Sequence, residues 1–144
     1  MNLTQIGIGA VCALSAVGSG IGAGVAGMAA IGAWKKCFAQ NKPAPFLMVA
    51  FVGAPLTQTV YGFILMNALK AARERLDPGF LLGVGIFGGL AMGISAWYQG
   101  KAGASASDAF AETGKGFGNY IMVIGLVETV ALFIMVFMLG IIAA

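Results

Sequence analysis

One carboxylate, Glu128, lies in the middle of the otherwise apolar segment IMVIGLVETVALFIMVFML. A charge at the centre of a bilayer costs roughly 2.5–3.5 kcal/mol even on the mildest insertion scale, so such a residue indicates a functional site. An earlier apolar segment offers partners at a similar depth: Thr57, Gln58 and Tyr61. Their spacing of three and four residues puts them on one side of a helix.

Two further oxygen donors are expected near the same depth. Gln99 reaches this depth if its helix continues through KAGASASDAF. Pro55 has no N–H, so the carbonyl one turn before it, near Phe51, lacks its helical hydrogen-bond partner. The backbone oxygens of Phe51 to Ala54 are therefore potential ligands. Carboxylate, amide, hydroxyl and carbonyl oxygens together suit a hard cation, and one carboxylate neutralises a monovalent ion. The alternatives are hydrogen bonds between helices for the glutamines and a protonated Glu128 that ties helices together.

The elements that must position these residues are four apolar runs in a chain of 144 residues, 60% hydrophobic and 9% charged. Uncharged runs of this length predict transmembrane helices. Apart from Glu128, these runs lack charged side chains: 1–34, 43–69, 78–100 and 116–144. The first has no basic residue before it, so we expect a permanent helix rather than a cleaved leader.

Composition also excludes several kinds of site. The chain has no His, and Cys12 and Cys37 lie far apart without ligand partners, so neither a metal centre with His or Cys ligands nor a redox pair is expected. The net charge of +3 comes from Lys and Arg in short loops without interleaved aromatics, which argues against nucleic-acid binding. There is no GxxxxGK[ST] phosphate loop, so the chain is not expected to hydrolyse ATP itself.

The two halves of the chain resemble each other. Gln58-Thr59-Val60 in the first half corresponds to Glu128-Thr129-Val130 in the second. We therefore predict an all-α membrane protein of two tandem helical hairpins, residues 1–72 and 73–144, with Gln58 in place of the carboxylate in the first. Residues 35–45 and 107–119 are predicted to be the equivalent hairpin loops.

Small residues recur every four positions in the first and third spans. Such spacing stacks them on one helix face, where neighbouring backbones approach closely. The predicted seams are Ala16, Gly20 and Gly24, and Gly85, Gly89 and Gly93. One arrangement that uses them is a ring of small-faced inner helices and bulky outer helices, and the other is a compact bundle.

The chain resembles the rotor-ring proteolipid (c or K subunit) of V-type ATPases, most of all the sodium-translocating bacterial kind. The motifs that carry the resemblance are P-x-T-Q-x-x-Y, Q-G-K and L-V-E-T. The resemblance implies an ion-binding carboxylate, three side-chain ligands, a backbone ligand and a locking hydrogen bond. By this resemblance the ion-binding carboxylate is Glu128, and its side-chain ligands are Gln58, Gln99 and Thr57. The backbone ligand is Ala54, and Tyr61 provides the locking hydrogen bond.

The resemblance further implies a ring of identical subunits in lipid, a stator subunit with an arginine that displaces the ion, and a soluble central stalk. The expected ion is Na⁺, with H⁺ as the alternative. A small proton-coupled multidrug antiporter is the runner-up, and a purely structural membrane protein leaves the cost of Glu128 unexplained. The connections after the first and third spans hold five Lys, and the connection between the halves holds three Lys and Arg. This bias predicts cytoplasmic loops at 35–45 and 107–119 in a bacterial plasma membrane.

Overall fold

The computed structural model describes residues 2–144, which form helices joined by short connections and contain no strand. The helices are α1 (Leu3–Ala39), α2 (Met48–Gly53), α3 (Thr57–Ala72), α4 (Pro78–Thr113) and α5 (Phe117–Ala143). A 3₁₀ turn, Ala54–Leu56, joins α2 to α3, so that Met48–Ala72 is one continuous span. Four spans are thus long and apolar enough to cross a membrane, as the four apolar runs predict.

Local sequence explains where α4 and α5 begin and end. The Asp77 carboxylate accepts from the backbone N–H groups of Gly79 and Phe80 at 2.8 and 3.1 Å, and Pro78 occupies the first helical position. At the other end, Gly114 adopts φ 64° and terminates α4 in a left-handed conformation that glycine favours. Gly116, with φ 87°, precedes α5 in the same region.

The hairpin loops are shorter than the predicted ranges 35–45 and 107–119, which is a correction. Residues 35–39 complete α1, and residues 107–113 complete α4, so the second connection spans only residues 114–116. Buried side chains explain the extra turns. Cys37 on α1 and Phe110 and Ala111 on α4 pack into one apolar cluster, so the polar residues between them lie on the outer side of continuing helices.

The first and third spans, α1 and α4, run in the same direction with their backbones in contact. Gly18 lies against Gly93, and Gly22 lies against the Ala96 carbonyl and Gly100. A Cβ at any of these glycines would overlap backbone atoms of the facing helix. This extensive contact joins the two halves of the chain, and the proposed division at residues 72 and 73 stays a prediction.

The predicted glycine seams are half right. Gly85, Gly89 and Gly93 on α4 do meet the α1 backbone. On α1, however, Gly20 and Gly24 are exposed, with open space where a Cβ would be, so the Ala16–Gly20–Gly24 seam is not the one used within the chain. Because α1 carries small residues on several faces, four-residue spacing alone did not identify the face that turns towards α4.

The outer helices leave much of their bulky surface exposed. On α5 only Ile124, Ala131 and Ile142 are buried, while Leu126 and Phe137 are more than 60% exposed. Such an apolar face suits lipid. Beneath it, the core consists of two apolar clusters, one around Leu65, Leu81 and Met92 and one around Met48, Phe51 and Phe110.

Candidate cation site

Glu128 lies half-buried on α5 and is held by two other spans. The Tyr61 hydroxyl of α3 donates to Glu128 Oε1 at 2.7 Å, and Gln99 Nε2 of α4 donates to Glu128 Oε2 at 3.2 Å. The Tyr61 bond is the shorter of the two and has the length of a strong hydrogen bond between oxygens. Both carboxylate oxygens are therefore fixed in position by donors from different helices.

Glu128 has no ion-pair partner among residues 2–144. The ion pairs of this part of the chain lie near the helix ends, where Lys36 pairs with Glu112 at 3.3 Å and Arg73 with Glu74 at 3.0 Å. An ionised carboxylate inside a membrane needs a compensating positive charge. For Glu128 that charge has to come from a bound cation, from a proton or from another subunit.

Two glutamines lie beside the carboxylate, and both are fully buried. Gln58 Nε2 donates to Gln99 Oε1 at 2.8 Å, and Gln99 Nε2 donates to the Ile124 carbonyl at 3.1 Å as well as to Glu128. Gln99 thus links α3, α4 and α5. Gln99 reaches this depth because α4 continues well beyond it to Thr113. The sequence prediction required this continuation of the helix through KAGASASDAF.

The 3₁₀ turn adds a hydroxyl and a backbone carbonyl to the same group. Thr57 Oγ1 donates to the Ala54 carbonyl at 3.0 Å and lies 3.2 Å from Gln58 Oε1. Pro55 is the reason for the turn, since its ring and missing N–H interrupt the regular helix. Of the backbone oxygens from Phe51 to Ala54, the Ala54 carbonyl therefore lies next to the polar side chains.

The Phe51 carbonyl, whose usual helical partner would be the N–H of residue 55, has a different neighbour. A Cβ built on Gly103 of α4 would come within 2.7 Å of the Phe51 oxygen. The absence of a side chain at Gly103 therefore lets α2 and α4 approach closely at the level of the interrupted bond.

The structure brings all six predicted site residues into one hydrogen-bonded group, which contains Ala54, Thr57, Gln58, Tyr61, Gln99 and Glu128. Sequence reasoning missed Ser95, whose Oγ donates to the Val127 carbonyl at 2.9 Å. Ser95 lies one helical turn before Gln99. This four-residue spacing puts both residues on one helix face and could have identified Ser95 from the sequence. The group offers carboxylate, amide, hydroxyl and carbonyl oxygens in one place, which is a ligand set for a hard cation.

The remaining reactive residues do not form a second site of this kind. Within residues 2–144 no group of three or more His, Cys, Asp or Glu side chains could hold a metal ion. Cys12 and Cys37 are both free thiols in that part of the chain, and the Cys37 sulfur lies 3.8 Å from the Ala111 carbonyl. Among the described residues, the polar group around Glu128 is therefore the candidate site.

Comparison with known proteins agrees with this geometry. Residues 82–141, which include Gln99 and Glu128, match the sequence model of the ATP synthase C subunit family. The chain is also 31% identical over 132 residues to the A-type ATP synthase subunit K of Methanocaldococcus jannaschii. The chain is therefore similar in sequence to the C and K subunits of ATP synthases. The alignment covers 91% of this chain and 57% of the subunit K from M. jannaschii, so the chain spans little more than half the length of that relative.

The part of the chain that matches the ATP synthase C subunit model lies in its second half. The match covers most of α4 and α5, and thus the half of the site that supplies the carboxylate. The half that supplies Thr57, Gln58 and Tyr61 lies outside it. Those residues are connected to Glu128 by the hydrogen bonds described above.

Proposed function

We propose that this chain is a rotor-ring subunit of a V/A-type ATPase that carries Na⁺ across the membrane by binding it at Glu128. Identical copies form the ring, and ATP-driven rotation moves each bound ion past a stator subunit. The subunit itself does not hydrolyse ATP. The similarity to the C and K subunits of ATP synthases supports the rotor role.

One observation carries the sodium part of the proposal: Glu128, which has no ion-pair partner among residues 2–144, adjoins more oxygen donors than proton transfer requires. A proton carrier needs only the carboxyl group. A dehydrated Na⁺ needs several oxygens in place of its water, and Gln58, Gln99, Thr57 and the Ala54 carbonyl supply them. With Na⁺ bound, these neutral ligands and the one carboxylate form a site of zero net charge, which can pass through lipid.

Tyr61 has a separate role in the proposal. Its hydroxyl donates to Glu128 while the same carboxylate accepts from Gln99, so this bond holds the carboxylate in the orientation that faces the glutamines. A carboxylate fixed in this way keeps the bound ion away from lipid while the subunit travels around the ring. An approaching cation, the arginine of the stator, then competes for Glu128 and releases the ion.

Two alternatives fit the structure less well. An H⁺-translocating proteolipid of the same kind leaves the buried Gln58–Gln99 pair without a purpose beyond helix packing. A multidrug antiporter needs an aromatic cavity at the carboxylate. Trp97 and Tyr98 instead lie 40% and 55% exposed on α4, with the Lys101 ammonium above both rings.

The proposed environment follows from charge and family likeness. We place the connections 40–47 and 114–116 on the cytoplasmic side of a bacterial plasma membrane, where the central stalk of the complex docks. Lys36, Lys42 and Lys115 lie at this end, which the positive-inside rule favours for the cytoplasm. The exposed apolar faces of α3 and α5 contact lipid or the stator.

The test is modification of Glu128 by a carboxyl-reactive carbodiimide in the purified ring. Only the protonated acid reacts, and Na⁺ competes with H⁺, so sodium should slow the labelling at fixed pH and ionic strength. Glu128→Gln should abolish the sodium-sensitive labelling, whereas Glu112→Gln, an exposed residue at the end of α4, should leave it unchanged. Equal labelling rates with sodium and with choline would contradict the sodium site and favour H⁺.

A further inference from the structure

Ser19 of α1 has a buried hydroxyl without a partner. The residue is 1% exposed, and within residues 2–144 its Oγ is the sole buried side-chain nitrogen or oxygen that makes no hydrogen bond. The other buried serines are bonded: Ser15 donates to the Val11 carbonyl at 2.7 Å and Ser107 to the Gly103 carbonyl at 2.9 Å. Burying a hydroxyl without a partner is unfavourable, so this group calls for an explanation.

The packing of α1 against the second span places Ser19 level with Gln58. The two helices run in opposite directions, and two close contacts bracket Ser19. These contacts join Ser15 to Gly62 and Gly22 to Pro55. Halfway between them, α1 presents Ser19 and α3 presents Gln58, and both side chains are buried.

Gln58 has an unfilled hydrogen-bonding position of its own. A carboxamide carries two N–H groups, and Gln58 Nε2 donates one bond, to Gln99 Oε1. Its Oε1 lies 3.2 Å from the Thr57 hydroxyl, whose one hydrogen is donated to the Ala54 carbonyl. If that oxygen is to bind a cation, the NH₂ group must point away from the ion, and its second hydrogen needs an acceptor in the buried interior.

We propose that Ser19 is a positioning residue of the cation site: its Oγ accepts the second N–H of Gln58 and holds the Gln58 carbonyl towards the bound ion. Neither bond is present in the structure, where the Ser19 hydroxyl has no partner, so both form only when the ion is bound. The Ser19 hydrogen is then donated to the Ser15 carbonyl four residues back, the kind of bond that Ser15 and Ser107 make within their helices. This inference rests on the proposed function, and it extends the site to α1.

The test compares Ser19→Ala with Ser107→Ala in the purified ring. Both changes remove one buried hydroxyl and leave the same small space. Loss of one hydrogen bond from a ligand predicts roughly a 2- to 10-fold rise in the sodium concentration that half-protects Glu128 from carbodiimide in the Ser19 variant. Ser107, whose bond stays within α4, should leave that midpoint unchanged.

A packing defect is distinguished by two further measurements. Without sodium, Ser19→Ala should unfold at the same temperature as the wild type or a higher one, because an unsatisfied hydroxyl is gone, while its stabilisation by sodium shrinks. In a Gln58→Ala background, Ser19→Ala should have no further effect on the sodium midpoint, because the group it positions is absent.

Each remaining outcome would overturn the inference. A wild-type ring without sodium protection refutes the sodium site, and the role of Ser19 with it. A protected wild type with an unchanged Ser19→Ala midpoint refutes the positioning role alone. An equal loss of affinity with and without Gln58 shows that Ser19 acts through packing.

Discussion

Replacing Gln99 with alanine is the most direct test of the site, because this one side chain connects three spans. The change removes the bond from Gln58 at 2.8 Å, the bond to the Ile124 carbonyl at 3.1 Å and the bond to Glu128 at 3.2 Å. It also removes one potential ligand oxygen. We therefore expect loss of both helix packing energy and cation affinity, in unequal measure.

The magnitude can be worked from these bonds. Neutral polar bonds between membrane helices average about 0.6 kcal/mol each. The bond to the charged Glu128 carboxylate is worth about 1.5–3 kcal/mol. The sum, roughly 3–4 kcal/mol, weakens the contact between spans but leaves the extensive α1–α4 backbone contact in place. Assembly of the ring should therefore survive.

Sodium affinity depends mainly on the charged bond. Loss of the Gln99 bond to the cation-binding carboxylate should therefore lower the sodium affinity by about 10- to 150-fold. The assay is the sodium concentration that half-protects Glu128 from carbodiimide at fixed pH. The measurement uses rings that retain their size in mild detergent.

Ser95→Ala is the matched control for this experiment. Ser95 also bonds α4 to α5, through the Val127 carbonyl, without touching Glu128. Its removal should cost about 0.6 kcal/mol of packing and shift the sodium midpoint by less than about threefold. If the Gln99 variant shifts the midpoint no more than the Ser95 variant does, Gln99 is a packing residue and the ligand set is wrong.

Three further predictions follow from the same structure. Because the amide of Gln58 cannot take up a cation by changing charge, equilibrium binding should find one Na⁺ per chain, and a value of two would place a second ion at Gln58. A cysteine at the exposed Asn41 should label only from the cytoplasmic side of oriented vesicles, and labelling from outside intact cells would reverse the topology. Gly22→Ala should prevent folding or assembly, because the added Cβ would overlap the Ala96 carbonyl. Gly24→Ala is the control, since its Cβ would have no neighbour within 4 Å and should not disturb the fold of a single chain. Equal yields of the two variant monomers would contradict the α1–α4 contact.

The number of ions that the complex moves per turn depends on how many Na⁺ ions each chain binds. One ion per four-span subunit halves the ions moved per turn relative to a ring with the same number of helices and a carboxylate in every hairpin. Moving one charge against 100 mV takes roughly 2.3 kcal/mol. With fewer ions per turn, the same ATP energy supports a steeper sodium gradient, which suits a pump better than an ATP synthase.

The sequence alone was sufficient for the number of membrane-span-capable helices, and it singled out Glu128 as the candidate residue for function. Because lipid penalises charge and unpaired backbone groups, uncharged runs of sufficient length become helices, and a single carboxylate within them stands out. Depth along a helix follows from residue number and the fixed rise per residue. This is why residue numbers and helix starts were enough to place Thr57, Gln58 and Tyr61 near the depth of Glu128.

Tertiary structure decided what depth does not specify, which is how each helix is rotated about its own axis and which neighbour it faces. Of the small-residue faces on α1, the one with Gly18 and Gly22 meets α4, while the one with Gly20 and Gly24 stays exposed. The rotation is set by close packing of whole helices, a property of the pair rather than of either sequence. The same packing places Ser95 against the α5 backbone and buries Ser19 beside the second span. Neither serine belongs to a sequence motif from which its position could be predicted.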